Sequence, residues 1–321
     1  MFVDILLFLV GLAGLWLSSE VIIRKIGPLA RFFGVKELVI TVLGVSVLSS
    51  LPELTVSAFA IARGQAEISV GNVIGSNFVT LTFVTAVCAL IRPIDIHREV
   101  RDREAGWMIL SSSLVMVLSL DGTLARSDGL ILLLAYVPYI LSVLSAARAD
   151  RSGPEAGDRP AGKTAAIAAL IAAAGVAGVI GFSSLALDRG SALGEAAGIP
   201  PVAMGVILFA FGTSLPELAI SLSATLKKKA DVTIGEVYAS NIFTQLVVLG
   251  ICCLIAPISV SGSILGFAMP FLVLAAGVIQ LFVTSGLKLN RLEAVGLLGF
   301  YALFAASQFT TMRPLHELLG F

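Results

Sequence analysis

The sequence predicts an all-α integral membrane protein, with ten transmembrane helices in two inverted-topology five-helix repeats. Three observations predict it: an apolar composition, bilayer-length apolar runs along the whole chain, and an internal repeat whose copies lie an odd number of crossings apart. Of 321 residues, 57% are hydrophobic and 13% charged, and the mean hydropathy is +1.00. A soluble domain has about a quarter of its residues charged, so the chain belongs in lipid. Crossing a bilayer takes ~20 apolar residues, and runs of that order place spans at 2–19, 37–62, 68–91, 105–120, 129–147, 164–187, 200–226, 232–256, 262–285 and 292–312.

The first run follows Met1-Phe2-Val3-Asp4, which has no basic segment ahead of it and no small-residue cleavage site behind it. It therefore reads as a span rather than a signal peptide. Cys88, Cys252 and Cys253 all fall inside spans, without CxxC spacing, and read as small packing residues. The net charge is zero, which points to neither an acidic nor a basic partner. Neither nucleic acid nor an obligate protein partner is expected, and the surroundings are membrane lipid.

The distribution of charge gives the orientation. With the N-terminus outside, the outer connections and tails hold Arg63, Arg126, Arg189 and Arg313, while the inner connections hold the other 17 of 21 Lys and Arg. The positive-inside rule then places both termini outside, in a multi-pass plasma (inner) membrane protein.

Residues 44–94 match residues 208–258 at a constant offset of 164, with 19 identities in 51 positions. Ser50-Leu51-Pro52-Glu53-Leu54 aligns with Ser214-Leu215-Pro216-Glu217-Leu218, Gly71 with Gly235, Ser76-Asn77 with Ser240-Asn241, Thr80 with Thr244, and Pro93-Ile94 with Pro257-Ile258; the same offset pairs Gly34 with Gly198. The matched spans are two and three, then seven and eight. Five crossings separate the copies and invert one relative to the other. Inverted repeats recur in secondary transporters, with the binding site near the midplane at the repeat interface. The halves are residues 1–147 and 164–321, joined by a cytoplasmic linker at 148–163.

Glu53 is the single ionisable residue between Leu38 and Ala62, and Glu217 the single one between Ala196 and Leu226. A carboxylate in a span costs at least ~2.5–3.5 kcal/mol and faces a partner or an aqueous cavity. Neither span offers a Lys or Arg at that depth, so protons or bound cations are left as stabilisers. Pro52 and Pro216 free carbonyls in the preceding turn, and Ser46, Ser49, Ser50, Thr213 and Ser214 add hydroxyls beside them. Oxygens in such numbers suit a hard cation, and two glutamates would neutralise one Ca²⁺. Small residues Ser69, Gly71, Gly75, Ser76, Gly235, Ala239 and Ser240 let spans three and eight approach closely, and Asn77, Thr80, Asn241 and Thr244 add polar groups that face either an ion or a neighbouring helix.

At these residues the chain resembles the cation/calcium exchanger superfamily, the sodium/calcium exchangers and their prokaryotic relatives. The superfamily signature, G-T-S-L-P-E then G-N-x-I-G-S-N in each half, reads here Leu48-Ser49-Ser50-Leu51-Pro52-Glu53 with Gly71-Asn72-Val73-Ile74-Gly75-Ser76-Asn77, and Gly212-Thr213-Ser214-Leu215-Pro216-Glu217 with Gly235-Glu236-Val237-Tyr238-Ala239-Ser240-Asn241. The resemblance implies a transporter rather than an enzyme. It works by alternating access, two outer spans sliding against an eight-helix core, with no resident cofactor and with Ca²⁺ and Na⁺ or H⁺ as transported ligands. It places calcium ligands at Glu53, Glu217 and the carbonyls of Ser49 and Thr213, and sodium-site oxygens at Ser46, Ser50, Ser76, the Ala210 carbonyl, Ser214 and Ser240. Where the family usually has Asn or Asp, this chain has Thr80 and Thr244; Leu48 replaces a glycine, and Glu236 replaces an asparagine. Glu236 reads either as a helix-start glutamate favoured by the dipole or as a vestibule ligand or proton acceptor. Ca²⁺/Na⁺ exchange is the leading expectation. The alternatives are exchange of Ca²⁺ or another cation for H⁺, a passive cation channel, and an intramembrane hydrolase, against which stand the absence of a nucleophile constellation beside the glutamates and the places of His97 and His316 outside the spans.

Overall fold

A computed structural model describes residues 1–33, 45–95, 98–149, 162–227, 230–286 and 288–310. Gly34, the start of the second predicted span, His97, most of the linker, Arg313 and His316 lie outside them.

The described residues are almost entirely helical, as lipid demands of a backbone that must satisfy its own hydrogen bonds. In chain order the helices are α1 (Phe2–Phe33), the short α2 (Ser46–Ser49), α3 (Leu51–Ala62), and α4, which runs Ala66–Phe78 and passes through a π-helical turn at Val79–Val84 into Thr85–Ile91. Then come α5 (Arg98–Leu118), α6 (Arg126–Ala149) and α7 (Gly162–Ala197). Next, α8 runs from Pro201–Ala203 through a π turn at Met204–Phe209 to Ala210–Thr213, followed by α9 (Leu215–Leu226). Helix α10 repeats the α4 pattern, with Ala230–Phe243, a π turn at Thr244–Val248 and Leu249–Ile255; α11 joins Ile264–Ala268 to Met269–Gly286, and α12 is Arg291–Thr310.

Among the described residues, six helices are long and apolar enough to cross a membrane, and seven if the pair α8 and α9, bent by 43°, counts as one. Several helices outrun the apolar stretches that predict them. Helix α1 continues past residue 19 through Glu20 and Arg24, which pair at 2.7 Å one turn apart. Helix α7 continues past 187 through Asp188 and Arg189, which pair with Arg63 and Asp4. Charged residues are good helix formers and support one another at i,i+4, so hydropathy marks the apolar part of a helix and not its end.

Burial separates a centre from a periphery. In the most apolar stretches of α4 and α10, 78% of residues are buried, against 22% in α6 and α7. Leu134, Leu141 and Leu170 on the outer helices are exposed, as lipid-facing residues should be. The three free cysteines are buried in α4 and α10, matching their reading as packing residues.

Two contacts repeat at the sequence offset. Helices α1 and α7 pack along much of their length through glycines. A Cβ on Gly11 would meet the Ala186 backbone at 2.9 Å, and one on Gly175 would meet Ile22 at 2.6 Å; Gly14 lies against Phe182 as Gly178 lies against Ser18. Ile22 and Ala186 are offset partners, as are Ser18 and Phe182, so the same contact occurs twice with the helices exchanged. Four two-residue strands form ribbons in the same reciprocal manner. Strand β1 (Ile94–Asp95) pairs antiparallel with β4 (Lys288–Leu289), and β2 (Thr123–Leu124) with β3 (Ile258–Ser259).

Close backbone approach also sets α4 on α8. A Cβ on Gly75 would sit 2.5 Å from the Val206 carbonyl, and one on Gly205 would sit 2.6 Å from the Ile68 carbonyl. Gly75→Leu is therefore expected to force the two helices apart at a cost of about 1–3 kcal/mol, read as a lowered Tm in detergent. By contrast, Gly235→Ala, whose added Cβ would meet nothing within 4 Å, is expected to leave Tm nearly unchanged.

Candidate functional site

Two helix breaks position the site. Between α2 and α3, Ser50 leaves helical geometry at φ −84°, ψ 9°, and between α8 and α9, Ser214 does the same at φ −80°, ψ 7°. Two residues on, Pro52 and Pro216 occupy the first turn of the new helix, where a missing N–H costs nothing. Each break then presents a glutamate in that first turn. Glu53 is 2% exposed and Glu217 is fully buried.

The breaks reach across to one another. Ser50 Oγ lies 3.3 Å from Glu217 Oε1, and Ser214 Oγ lies 3.5 Å from Glu53 Oε1. Each carboxylate thus receives the hydroxyl that stands at the other break. Ser240 of α10 also donates toward Glu217 Oε1 at 3.3 Å and lies 2.9 Å from Ser50 Oγ. The Ser46 carbonyl accepts from Ser49 Oγ at 3.1 Å and Ser50 Oγ at 2.9 Å. Ser50 has one proton for the Ser46 carbonyl, Glu217 and Ser240, so the cluster holds more acceptors than protons. Glu53 Oε2, Glu217 Oε2, Ser46 Oγ and Ser69 Oγ are buried without a hydrogen-bond partner among the described residues, and neither glutamate forms an ion pair there. Buried carboxylates in this condition need a positive partner.

Not every predicted oxygen joins the cluster. The Ala210 carbonyl accepts from the Ser214 N–H at 3.1 Å and Thr213 Oγ1 at 3.4 Å. Ser76 Oγ donates to the Val73 carbonyl at 3.1 Å. Thr80 donates to the Ser76 carbonyl at 2.9 Å and accepts from Asn241 Nδ2 at 2.7 Å, while Thr244 donates to the Ser240 carbonyl. Thr80 thus ties α4 to α10, while the Thr244 bond stays within α10. Beside them Gln245 Nε2 donates to Asn77 Oδ1 at 2.9 Å, so Asn77 and Asn241 serve the α4–α10 contact. The π turns begin just there, at Val79 and Thr244, and such turns gather at functional positions.

Sequence reasoning passed over a second layer. Asn72 Nδ2 donates to Ser57 Oγ at 3.0 Å, and Asn72 Oδ1 accepts from Thr213 Oγ1 at 3.2 Å. At the offset positions Glu236 accepts from Ser221 Oγ at 3.1 Å and from Ser49 Oγ at 3.1 Å. Each side chain spans its own half's helix after the break and the other half's break. Ser57 and Ser221 are identical across the repeat, which was the available signal. Glu236 is 3% exposed and lies well inside Ala230–Phe243, so the helix-start reading does not apply to it.

The model of the family described as "Sodium/calcium exchanger protein" matches this chain twice, over residues 3–145 and 167–310. The chain belongs to the sodium/calcium exchanger family. It is a membrane transporter and not an enzyme. Family relatives include the inner membrane protein YrbG of Escherichia coli (strain K12), 32% identical over 78% of this chain and 79% of its own length. The sodium/calcium exchanger MaX1 of Methanosarcina acetivorans is 26% identical over 94% of this chain and 97% of its own. Among solved structures, the sodium-calcium exchanger NCX_Mj soaked with Na⁺ and Sr²⁺ superimposes with a TM-score of 0.70 at 27% identity, covering 95% of this chain and 98% of that one.

Removing the Asn72 links leaves Ser57 and Thr213 with unmade hydrogen bonds in a buried place. Asn72→Ala is expected to lower stability by about 1–3 kcal/mol, measured by thermal unfolding of the purified protein.

Proposed function

We propose that this antiporter exchanges Ca²⁺ for Na⁺ by alternating access at a site formed by Glu53 and Glu217. The chain is a cation antiporter of sodium/calcium exchanger type, and the finer reading rests on one observation: two buried carboxylates, each serviced by the opposite break's serine, stand in a cluster with surplus oxygens and, among the described residues, no cationic side chain. Two negative charges match one Ca²⁺, and carboxylates, hydroxyls and carbonyls are the ligands that ion takes. The ligand set is Glu53 and Glu217 with the carbonyls of Ser49 and Thr213. Ser46, Ser50, Ser76, Ala210, Ser214 and Ser240 offer oxygens for Na⁺, and Thr80 and Thr244 flank them. MaX1 and NCX_Mj are named as sodium/calcium exchangers, which supports both ions.

In this reading the chain has ten spans in two inverted five-helix repeats, 1–147 and 164–321, joined by a cytoplasmic linker at 148–163, with both termini outside. The reciprocal ribbons, the exchanged glycine contacts of α1 and α7, and the two matches to one family model support the repeat. Coupling to H⁺ is a second reading, favoured by Thr80 and Thr244 standing where the signature usually has Asn or Asp. Lipid is the surrounding partner.

In reconstituted vesicles, Glu53→Gln and Glu217→Gln are each expected to abolish ⁴⁵Ca²⁺ uptake driven by an imposed Na⁺ gradient; near-normal uptake in both would overturn the site. An imposed pH gradient without Na⁺ is expected to drive little uptake, and equal uptake under either gradient would favour coupling to H⁺.

A further inference from the structure

Glu236 stands outside the two-glutamate cluster, buried, with no ion pair to it among the described residues. We propose that its carboxylate, with the hydroxyls of Ser49 and Ser221, forms an additional site for a monovalent alkali cation, on the side of the exchange site toward the Lys227 turn. The proposal rests on the reading of Glu53 and Glu217 as the exchange site.

The comparison with Asn72 carries it. Both side chains hold the same place in the repeat and make the same pair of contacts, one to Ser57 or Ser221 and one to Thr213 or Ser49. Asparagine performs this bracing with a matched donor and acceptor and no charge. An ionised glutamate can only accept, so Ser221 becomes a donor where Ser57 is an acceptor, and the side chain adds a negative charge that bracing does not need. Ser49 Oγ is 3.1 Å from Glu236 Oε1 and 3.1 Å from the Ser46 carbonyl with a single proton between them, a sharing that Thr213 repeats between Asn72 Oδ1 and the Ala210 carbonyl, so what distinguishes Glu236 is its charge. A cation beside Glu236 neutralises the carboxylate and takes hydroxyl lone pairs in place of missing protons.

The surroundings continue the oxygen lining in this half. The Ser221 carbonyl accepts from Thr225 Oγ1 at 2.8 Å and Thr233 Oγ1 at 3.3 Å, and the two hydroxyls lie 3.2 Å apart. All are buried and lead from Glu236 toward the end of α9 at Leu226. The offset partner of Thr225 is Ile61, so the first half has an apolar side chain where the second has a hydroxyl. A charge of −1 matches one monovalent cation, whereas a divalent ion would leave a buried positive charge unbalanced. Ser49 stands in both sites, which places the two cations in contact with one shared residue.

The test counts Na⁺ directly on the full-length purified protein, by equilibrium ²²Na⁺ binding, with ⁴⁵Ca²⁺ binding measured in parallel. Glu236→Asn, the residue its partner position carries, is expected to bind about one Na⁺ fewer at saturation and to show a shallower Na⁺ displacement of ⁴⁵Ca²⁺. Glu236→Asp is expected to keep the count at weaker affinity. An unchanged Na⁺ count and slope in Glu236→Asn overturns the inference while leaving the exchange site standing. Absence of ⁴⁵Ca²⁺ binding to the unmodified protein defeats the exchange reading instead, and the ²²Na⁺ count still decides the role of Glu236. Should Glu236→Asn fail to purify as a monodisperse protein, Ser221→Ala, which keeps the carboxylate, is expected to weaken that Na⁺ about tenfold; no weakening overturns the proposal.

Discussion

Two buried carboxylates, with no cationic side chain paired to them among the described residues, constrain everything around them. The desolvation of such groups is too costly to be met by packing alone, and the chain surrounds them with hydroxyls and broken helices. The solution is cooperative between the halves: Ser50 attends Glu217 and Ser214 attends Glu53. Neither half can build a complete site alone. The close seating of α4 on α8 through Gly75 and Gly205, and the polar ties between α4 and α10, hold the two breaks at the distance this exchange of serines requires.

The second layer shows how a fold can be symmetric while its chemistry is not. Asn72 and Glu236 brace equivalent joints with equivalent contacts, yet one is neutral and the other acidic. Thr80 and Thr244 are uncharged and spend their hydroxyl protons on the backbone one turn back.

Much of this was legible in the sequence. The helix breaks followed from Pro52 and Pro216, the pairing of Glu53 with Glu217 from the offset of 164, and the serines of the cluster from their place beside the prolines. Helix ends were not legible, because Glu20–Arg24 and the ion pairs of Asp188 and Arg189 sustain helices beyond their apolar stretches. The partner of each serine was not legible either. Spacing places Ser50 next to Glu53, and only three-dimensional packing hands its hydroxyl to Glu217. Of the two readings of Glu236, the helix-dipole one fails for a related reason: its neighbours Ser49 and Ser221 are 187 and 15 residues away, beyond what a local reading can see.

The glycine contacts of α1 and α7 have one further consequence. Gly11 faces Ala186 as Gly175 faces Ile22, and Gly14 faces Phe182 as Gly178 faces Ser18. A shift of this pair along its length in one direction is the rotated image of the same shift in the other. Were the facing residues identical, the two displaced arrangements would have equal energy. Any resting preference between them must then be written in the mismatches, Ser18 against Phe182 and Ile22 against Ala186, where a small side chain in one half is answered by a large one in the other.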